Sequence, residues 1–467
     1  MPLATLISLH YENRLFSLSI LLSLCGCAKE LVYDTIIDEV PVVDNTFVNS
    51  NAIQKYAQAS FPLSKSDSLE FKIEAITDFA GDTLMYVINF ANGNGWKIIS
   101  ADTRTPSILA EGDYGSFSLN NASPSVNVWL DSVKRNMSLI RKSSDEALSF
   151  SVELIHSYKS FWNQFSSYAL QKPMDPEENG DWFSHTDIEI IVDETVDHLV
   201  AKWDQKHPYN TYCPYIDQET GIRAVTGCVA IAAGQLLYFL HDKLGIPSQM
   251  VSSGYCVGDI DNYSREFFNY STAAWSYMSK NYAGAYGNAN FEALMLGNIG
   301  AIINMHYREK YSWAIPKNIM DDLLPYYGLT CERDDYDEGI VKQSLEENMP
   351  VVVSASDCLI PVDGDIHCFV IDGYRKTHEE YTTYHYWVPD DGEPDFDPDH
   401  QSYYTTSRSD TEINSIKINW GWSSQWTSGI NDGWYTLTDD WLTTLNNDTQ
   451  TWNHHRVIYH SFSLSTD

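Results

Sequence analysis

A cysteine at the start of a helix of small and apolar residues constrains this chain more than any other feature. The stretch from Thr226 to Gln235 reads Thr-Gly-Cys-Val-Ala-Ile-Ala-Ala-Gly-Gln, so Cys228 follows a turn and begins the helix. The positive end of the helix dipole and the unpaired backbone N–H groups favour a thiolate there. Free cysteines also pack commonly as small buried hydrophobic residues. The pattern therefore predicts a nucleophile only if a base and oxyanion donors occur elsewhere.

The other groups that hydrolysis by a thiol needs each have a candidate. His367 opens a short apolar strand and is the candidate base. The Cys228 backbone N–H and the side-chain amide of Gln205 are candidate donors to the oxyanion. Asn419 is expected to accept a hydrogen bond from the other imidazole nitrogen, and Trp420 to cover that bond from water. Any one of these motifs is weak alone, but the ordered set satisfies all requirements of the chemistry.

Taken together, these motifs resemble the streptopain family, papain-fold cysteine peptidases that are made as inactive precursors. The motifs are Trp203-Asp204-Gln205 with Pro208-Tyr209-Asn210, Thr226-Gly227-Cys228-Val229-Ala230, His367 with residues 369–374, and Asn419-Trp420-Gly421-Trp422 with Gly433-Trp434-Tyr435. Their order, Gln, Cys, His, Asn/Trp, is the papain-like one. The resemblance covers the chain from about Leu199 onward, and the segments 86–90 and 96–102 resemble the family's pro-domain.

The resemblance implies an α+β fold and a cysteine-type endopeptidase. The catalytic domain would have two lobes, one helical and one an antiparallel β lobe, preceded by a small α+β pro-domain. Carried over residue by residue, the nucleophile falls on Cys228, the base on His367 and the oxyanion glutamine on Gln205. The pair that supports the imidazole falls on Asn419 and Trp420. No cofactor and no metal are expected; the partners are protein or peptide substrates and the pro-domain, which would act as an intramolecular inhibitor.

The domain organisation follows from composition along the chain. Residues 1–27 are predicted to be a signal peptide, because a short apolar run ends in Leu24-Cys25-Gly26-Cys27, which resembles a bacterial lipobox. We expect lipid attachment at Cys27, and hence export to the bacterial membrane or cell surface; simple secretion is the alternative. The remaining predicted boundaries are a tether at 28–50, a pro-domain with linker at 51–185, and the catalytic domain at 186–467.

The linker is the predicted site of maturation. Residues 171–181 are rich in proline and acids, which is typical of an exposed loop that proteases reach first. A cut is expected between about Lys172 and His198, and it would release the peptidase from a lipid anchor. Local patterns predict a hairpin from Leu84–Phe90 and Trp96–Ser100, strands in the C-terminal part, and helices at 126–141, 146–170, 229–243, 291–304 and 315–324.

Charge excludes some partners. The chain has 64 acidic and 29 basic residues and a formal net charge of −35, which repels nucleic acid and anionic lipid surfaces. We therefore expect no nucleic-acid binding, and membrane contact only through the lipid. The acidic excursion at 375–414 could supply calcium ligands around 390–399, but its spacing does not match an EF-hand, so a solvated loop is predicted.

Two other functions use the same motifs. A papain-fold amidase or transglutaminase would need the same catalytic groups, so the motifs alone do not separate it from a peptidase. A catalytically silent surface lipoprotein that binds protein would not need the thiol. Replacement of Cys228 distinguishes this last alternative from an enzyme, since only an enzyme loses turnover.

Overall fold

The computed structural model describes most of the chain between Thr46 and Ser465. The described residues are 46–60, 70–120, 122–148, 152–163, 165, 180–198, 201–246, 254–258, 263–265, 275, 278, 290–356, 366–389, 403–409, 413–422, 432–436 and 454–465. Cys27, the predicted signal segment, nearly all of the tether and the acidic run 390–399 lie outside the described residues. No helix among the described residues is long and apolar enough to cross a membrane.

Helices occur in both the N-terminal and the C-terminal parts. They are α1 Ser50–Ala59, α2 Pro124–Lys142, α3 Val152–Asn163, α4 Cys228–Leu244, α5 Phe291–Ile302, α6 Leu324–Tyr326 and α7 Glu338–Glu346. Within the predicted helix at 146–170, the structure describes α3 and, before it, a 3-10 turn at Asp145–Ala147; residues 149–151, 164 and 166–170 lie outside the described residues. The predicted helix at 315–324 is a π-helical turn, Ile319–Leu323, that leads into α6.

The strands in the described part of the chain form one large antiparallel sheet and two small ones. They are β1 Phe71–Thr77, β2 Thr83–Phe90, β3 Trp96–Ser100, β4 Ile108–Gly112, β5 Gly180–Asp197, β6 Tyr215–Asp217, β7 Ile222–Arg223, β8 Gly254–Gly258, β9 Tyr263–Arg265, β10 His306–Tyr307, β11 Leu329–Asp335, β12 Val351–Ser356, β13 Ile366–Pro389, β14 Tyr403–Ser409, β15 Ile413–Asn419, β16 Gly433–Thr436 and β17 His454–Leu464. The predicted α+β class is therefore confirmed, as is the hairpin, in which β2 pairs with β3.

The large sheet runs without a break from the N-terminal domain (described residues 46–165) into the C-terminal domain. Its order is β1-β2-β3-β4-β16-β15-β13-β12-β17-β11, with β14 and β5 also paired to β13. The junction is the pairing of β4 with β16, where Glu111 lies opposite Trp434 and Ala110 opposite Tyr435. The Thr436 hydroxyl donates a hydrogen bond of 2.8 Å to the Ile108 carbonyl at the same junction. The two domains thus share backbone hydrogen bonds as well as side-chain contacts.

Strand β13 divides its side chains between two cores. Cys368 and Val370 point into a core built largely from α4 and α5, whereas Phe369 and Ile371 point into a second core on the opposite face of the sheet. That second core includes Val126, Leu130 and other residues of the N-terminal domain. Because side chains alternate along a strand, His367 lies on the face that the N-terminal domain covers.

Strand β5 occupies most of the predicted cleavage window. It pairs with β13 from Gly180 opposite Pro389 to Asp197 opposite Gly373. The predicted loop at 171–181 therefore ends earlier than expected, and the predicted domain boundary at 185/186 falls inside a strand. The flanks of the acidic excursion are strands, because β13 continues to Pro389 and β14 pairs with it, whereas the solvated loop predicted for the run 390–399 lies outside the described residues.

A buried arginine fixes the orientation of α2. The Arg104 side chain, which is 3% exposed, donates to both carboxylate oxygens of Asp102 at 2.9 and 2.8 Å. It also donates to the carbonyls of Ile140 and Ser143, each at 2.7 Å, at the C-terminal end of α2. Backbone carbonyls at a helix end need such donors, so Arg104 ties α2 to the loop between β3 and β4.

We expect Arg104→Met to destabilise the N-terminal domain, because it leaves the Asp102 carboxylate buried without its cation. Breaking a buried ion pair in this way costs about 3–5 kcal/mol. The measurement is the urea midpoint of the full-length chain carrying Cys228→Ala. Arg135→Met, at an exposed arginine of α2, is the matched control and should leave the midpoint nearly unchanged. Equal midpoints for the two variants would contradict the role assigned to Arg104.

Candidate active site

Cys228 is the first residue of α4, as the sequence predicts. The preceding residue, Gly227, has a φ of 93°, a backbone conformation that residues other than glycine rarely adopt. A Cβ atom there would also lie 2.8 Å from the Met305 sulfur and 2.9 Å from the Ser312 carbonyl oxygen. Glycine is therefore required immediately before the candidate nucleophile, and it allows the chain to turn sharply into the helix.

The Cys228 thiol is neutral in this form of the protein. Burial raises the pKa of the thiol, and the backbone N–H groups of Cys368, Val229 and Cys228, which point toward the sulfur, only partly oppose that rise. The sulfur therefore lies against the backbone of Cys368, the residue that follows His367. The structure thus brings the candidate nucleophile and the candidate base to one junction between α4 and β13.

The His367 imidazole is buried and engaged by the N-terminal domain. Its Nε2 atom lies 2.7 Å from the Ser125 hydroxyl oxygen in the first turn of α2, and 3.3 Å from the Trp420 carbonyl oxygen. The ring lies between Phe369 and Trp420, with centroid distances of 5.9 and 6.0 Å. Burial lowers the pKa of His367 to about 3, while the Trp420 carbonyl acts in the opposite direction. The imidazole is accordingly neutral near pH 7.

Gln205 lies beside the turn that enters α4. Its backbone carbonyl accepts hydrogen bonds from the Thr226 N–H at 2.9 Å and from the Thr226 hydroxyl at 3.2 Å, two residues before Cys228. The residue itself is 3% exposed. This position is compatible with the predicted oxyanion donor, and the role of the side-chain amide stays a prediction.

Asn419 has other partners in this structure than the one predicted. Its Oδ1 accepts from Gln235 Nε2 and from the Gly421 N–H, each at 3.1 Å, and its Nδ2 donates to the Ala201 carbonyl at 3.0 Å. Since both lone pairs of Oδ1 are occupied, the acceptor that meets His367 here is the backbone carbonyl of Trp420. A hydrogen bond from the imidazole to Asn419 stays a prediction for the form in which Ser125 has withdrawn.

Sequence reasoning missed two residues of this site. Ser125 has no local signal, because its contact with His367 joins positions far apart in the chain. Gln235 could have been found, since it is an amide within the apolar stretch 228–240 of the helix and is spaced two turns from Cys228. It is fully buried.

One group of described side chains could hold a divalent cation. One ligand atom each from Glu332, Asp334 and His460 lies within 4.8 Å of the others, and His460 Nε2 is 3.0 Å from Asp334. These residues belong to β11 and β17, which contain none of the candidate catalytic residues. The described cysteines Cys213, Cys228, Cys331 and Cys368 are free thiols.

Two family models match the chain. Residues 203–435 match the Peptidase C10 family, and residues 44–137 match the Spi protease inhibitor model. The first range contains all five candidate catalytic residues, and the second contains Ser125 and most of α2. The two matched regions do not overlap.

The chain is also similar to curated and solved proteins. The chain is 22% identical to streptopain of Streptococcus pyogenes over 413 residues, which is 84% of this chain and 82% of streptopain. A prointerpain A fragment of Prevotella intermedia is 20% identical with a TM-score of 0.49, covering 84% of this chain and 98% of the fragment. Active interpain A from the same organism is 21% identical with a TM-score of 0.35, covering 57% of this chain and 94% of that one.

The motifs, the fold and the matches define a cysteine-type peptidase that carries an N-terminal propeptide domain. The class accounts for the thiol at a helix start and the histidine on a facing strand. The chain belongs to the Peptidase C10 family, which is the streptopain family of cysteine peptidases.

The buried imidazole predicts that acid destabilises the closed form. Between pH 6.5, the ordinary value, and about pH 3, an exposed His367 binds a proton that the buried one excludes, so closed-form stability falls as pH falls through this window. We expect the thermal midpoint of the Cys228→Ala chain to fall more from about pH 7 to about pH 4.5 than that of Cys228→Ala with His367→Gln. Calorimetry measures both midpoints. Equal falls would assign the acid sensitivity to other groups.

Proposed function

We propose that this chain is an exported cysteine endopeptidase zymogen that hydrolyses protein peptide bonds through Cys228 and His367. The observation that carries the proposal is the placement of the Cys228 sulfur, at a helix start, against the backbone of the residue next to His367. Helix dipole and backbone N–H groups there favour a thiolate once the site is opened to water. His367 directly precedes Cys368 on β13, and its imidazolium is the proposed ion-pair partner of that thiolate.

In the proposed reaction, the Cys228 thiolate attacks the carbonyl carbon of the substrate and a C–S bond forms. The Cys228 N–H and the Gln205 amide donate to the oxyanion. The His367 imidazolium gives its proton to the leaving amine as the C–N bond breaks, which leaves an acyl-enzyme. His367 then removes a proton from water, the hydroxide attacks the acyl carbon, and the thiolate departs.

Latency in the proposed precursor has an electrostatic cause. Burial disfavours the thiolate of Cys228 and the imidazolium of His367 together, so the ion pair needed for attack does not form. The Ser125 hydroxyl holds the imidazole, and the core shared with α2 keeps water away. Departure of the N-terminal domain would expose the imidazole, and its pKa would return toward about 6.5. A charged pair then becomes accessible near neutral pH.

Maturation is proposed to occur by a cut before β5. The pairing of β5 with β13 would hold this strand on the catalytic domain after the cut and protect most of the window up to His198. Separation must also break the contact of Arg375 with Glu111 across the β4–β16 junction, where both side chains are largely buried. Such a pair is costly to break, so a cut alone need not release the inhibitor at once.

Export and lipid attachment at Cys27 remain part of this proposal. Their support is the apolar run Leu15–Leu24 and the lipobox-like sequence that ends in Cys27. A lipidated precursor would be held at the membrane or cell surface, and the cut would release the peptidase. Metabolic labelling with a fatty acid, compared between the native chain and Cys27→Ala, tests the attachment.

Turnover and thiol reactivity test the enzymatic proposal directly. The matured chain should hydrolyse denatured casein and react with a thiol-directed epoxide at Cys228, and Cys228→Ala should lose both properties. Cys331→Ala, which removes another free thiol, is the control and should keep both. Amide hydrolysis or acyl transfer without casein cleavage would favour the amidase or transglutaminase alternative. Intact protein binding without any turnover would favour the silent lipoprotein.

Loss of the Ser125 hydroxyl should weaken latency. Ser125→Ala removes the 2.7 Å contact with His367, and a hydrogen bond of this kind contributes about 1 kcal/mol, or about fivefold in the closed-to-open ratio. We expect the uncleaved precursor to react with the epoxide about fivefold faster, as followed by mass spectrometry. Ser138→Ala, farther along α2, is the matched control. Equal rates for the two variants would argue against restraint by Ser125.

A further inference from the structure

Gln235 connects the helix of the nucleophile to the acceptor of the base. It lies two turns after Cys228 on α4, hence on the same face of the helix, and it is fully buried. Its Nε2 donates to Asn419 Oδ1 at 3.1 Å. We propose that Gln235 is a positioning residue that holds the Asn419–Gly421 turn so that the Trp420 carbonyl faces His367. This inference rests on the proposed hydrolysis.

Backbone partners fix the orientation of both amides. The Gly421 N–H donates to Asn419 Oδ1, and Asn419 Nδ2 donates to the Ala201 carbonyl, so Asn419 presents its oxygen to Gln235. Gln235 must therefore present its NH₂ group. Its Oε1 is buried and has no hydrogen-bond partner among the described residues. Among the described residues, the Gln235 amide therefore makes its hydrogen bond through its NH₂ group, to Asn419.

The turn itself rests on α4. Gly421 has φ of 72°, and a Cβ atom there would lie 2.8 Å from Ile231 Cγ2, so only glycine brings the turn this close to the helix. The Trp420 N–H donates to Asp432 Oδ1 at 2.9 Å, which fixes the other side of the same peptide segment. The Trp420 carbonyl is consequently held 3.3 Å from His367 Nε2.

Replacement of Gln235 by methionine can distinguish a positioning role from a role in stabilising the fold. The buried Gln235 Oε1 has no donor among the described residues, which is destabilising. Methionine has a side chain of similar length but no such oxygen. Gln235→Met should therefore leave the folded state about as stable as before. Asn419 would lose one of its partners, however, and the Trp420 carbonyl would orient and support the His367 imidazolium less well. The loss should fall on the chemical step and not on substrate binding, because Gln235 is covered by the turn.

The test compares matured wild type, Gln235→Met and Gln235→Glu, with Gln343→Met as the control at an exposed glutamine of α7. We expect Gln235→Met to lower kcat about tenfold with KM unchanged, the effect of one buried hydrogen bond. The upper pKa in the pH profile of epoxide inactivation, which reports the imidazolium, should fall. Gln235→Glu should regain activity as pH falls, because only the protonated carboxyl can donate to Asn419. The control should match wild type.

Three outcomes would overturn the inference. One is a wild-type kcat and pH profile for Gln235→Met. Another is a parallel loss of thermal midpoint and activity, which indicates a structural role. A third is a Gln235→Glu profile with no gain at low pH, and this readout decides the matter if Gln235→Met does not fold. Absence of turnover in wild type itself would instead refute the proposed hydrolysis, so the two failures are distinguishable.

Discussion

Burial of one imidazole governs the rest of this structure. His367 is placed by strand alternation on the face of β13 that the N-terminal domain covers, where its polar contacts include Ser125 and the Trp420 carbonyl. Burial on this face disfavours its charged form, and burial in the core built largely from α4 and α5 keeps the Cys228 thiol protonated. In the proposed precursor, such burial would inhibit by acting on the ionisation of Cys228 and His367 at once.

The strength of that restraint comes from the extent of the shared structure. Side chains of α2 and of β13, β15 and β16 belong to one hydrophobic core, and the Trp129 and Tyr435 rings meet edge to face at 5.0 Å. Backbone pairing of β4 with β16 adds directional bonds to this apolar contact. Ser125 is thus held against the imidazole by an interface much larger than its own hydrogen bond, and Arg104 transmits the position of the sheet to α2.

The sequence was informative where chemistry leaves few choices of residue. A thiol after Gly227, a histidine opening a strand and the Asn-Trp-Gly-Trp motif led to the fold class and to the junction that brings Cys228 and His367 together. Long-range contacts could not be read in this way. The bond from Ser125 to His367 and the pairing of β5 with β13 depend on tertiary packing, and the proline-rich, acidic approach to β5 is typical of a loop. The motif also identified Asn419 as a residue of the site, but it did not predict which groups hydrogen-bond to its amide.

Separation of the two domains would expose backbone groups of β16, because β16 pairs with β4 at their junction. While the two domains are joined, β16 lies inside a continuous sheet, with Glu111 opposite Trp434. Departure of β4 turns β16 into an edge strand with unsatisfied N–H and C=O groups, which invites pairing with other extended chains. In a peptidase freed of the N-terminal domain, the short length of β16 and neighbouring charges such as Arg375 and Lys417 would oppose such pairing.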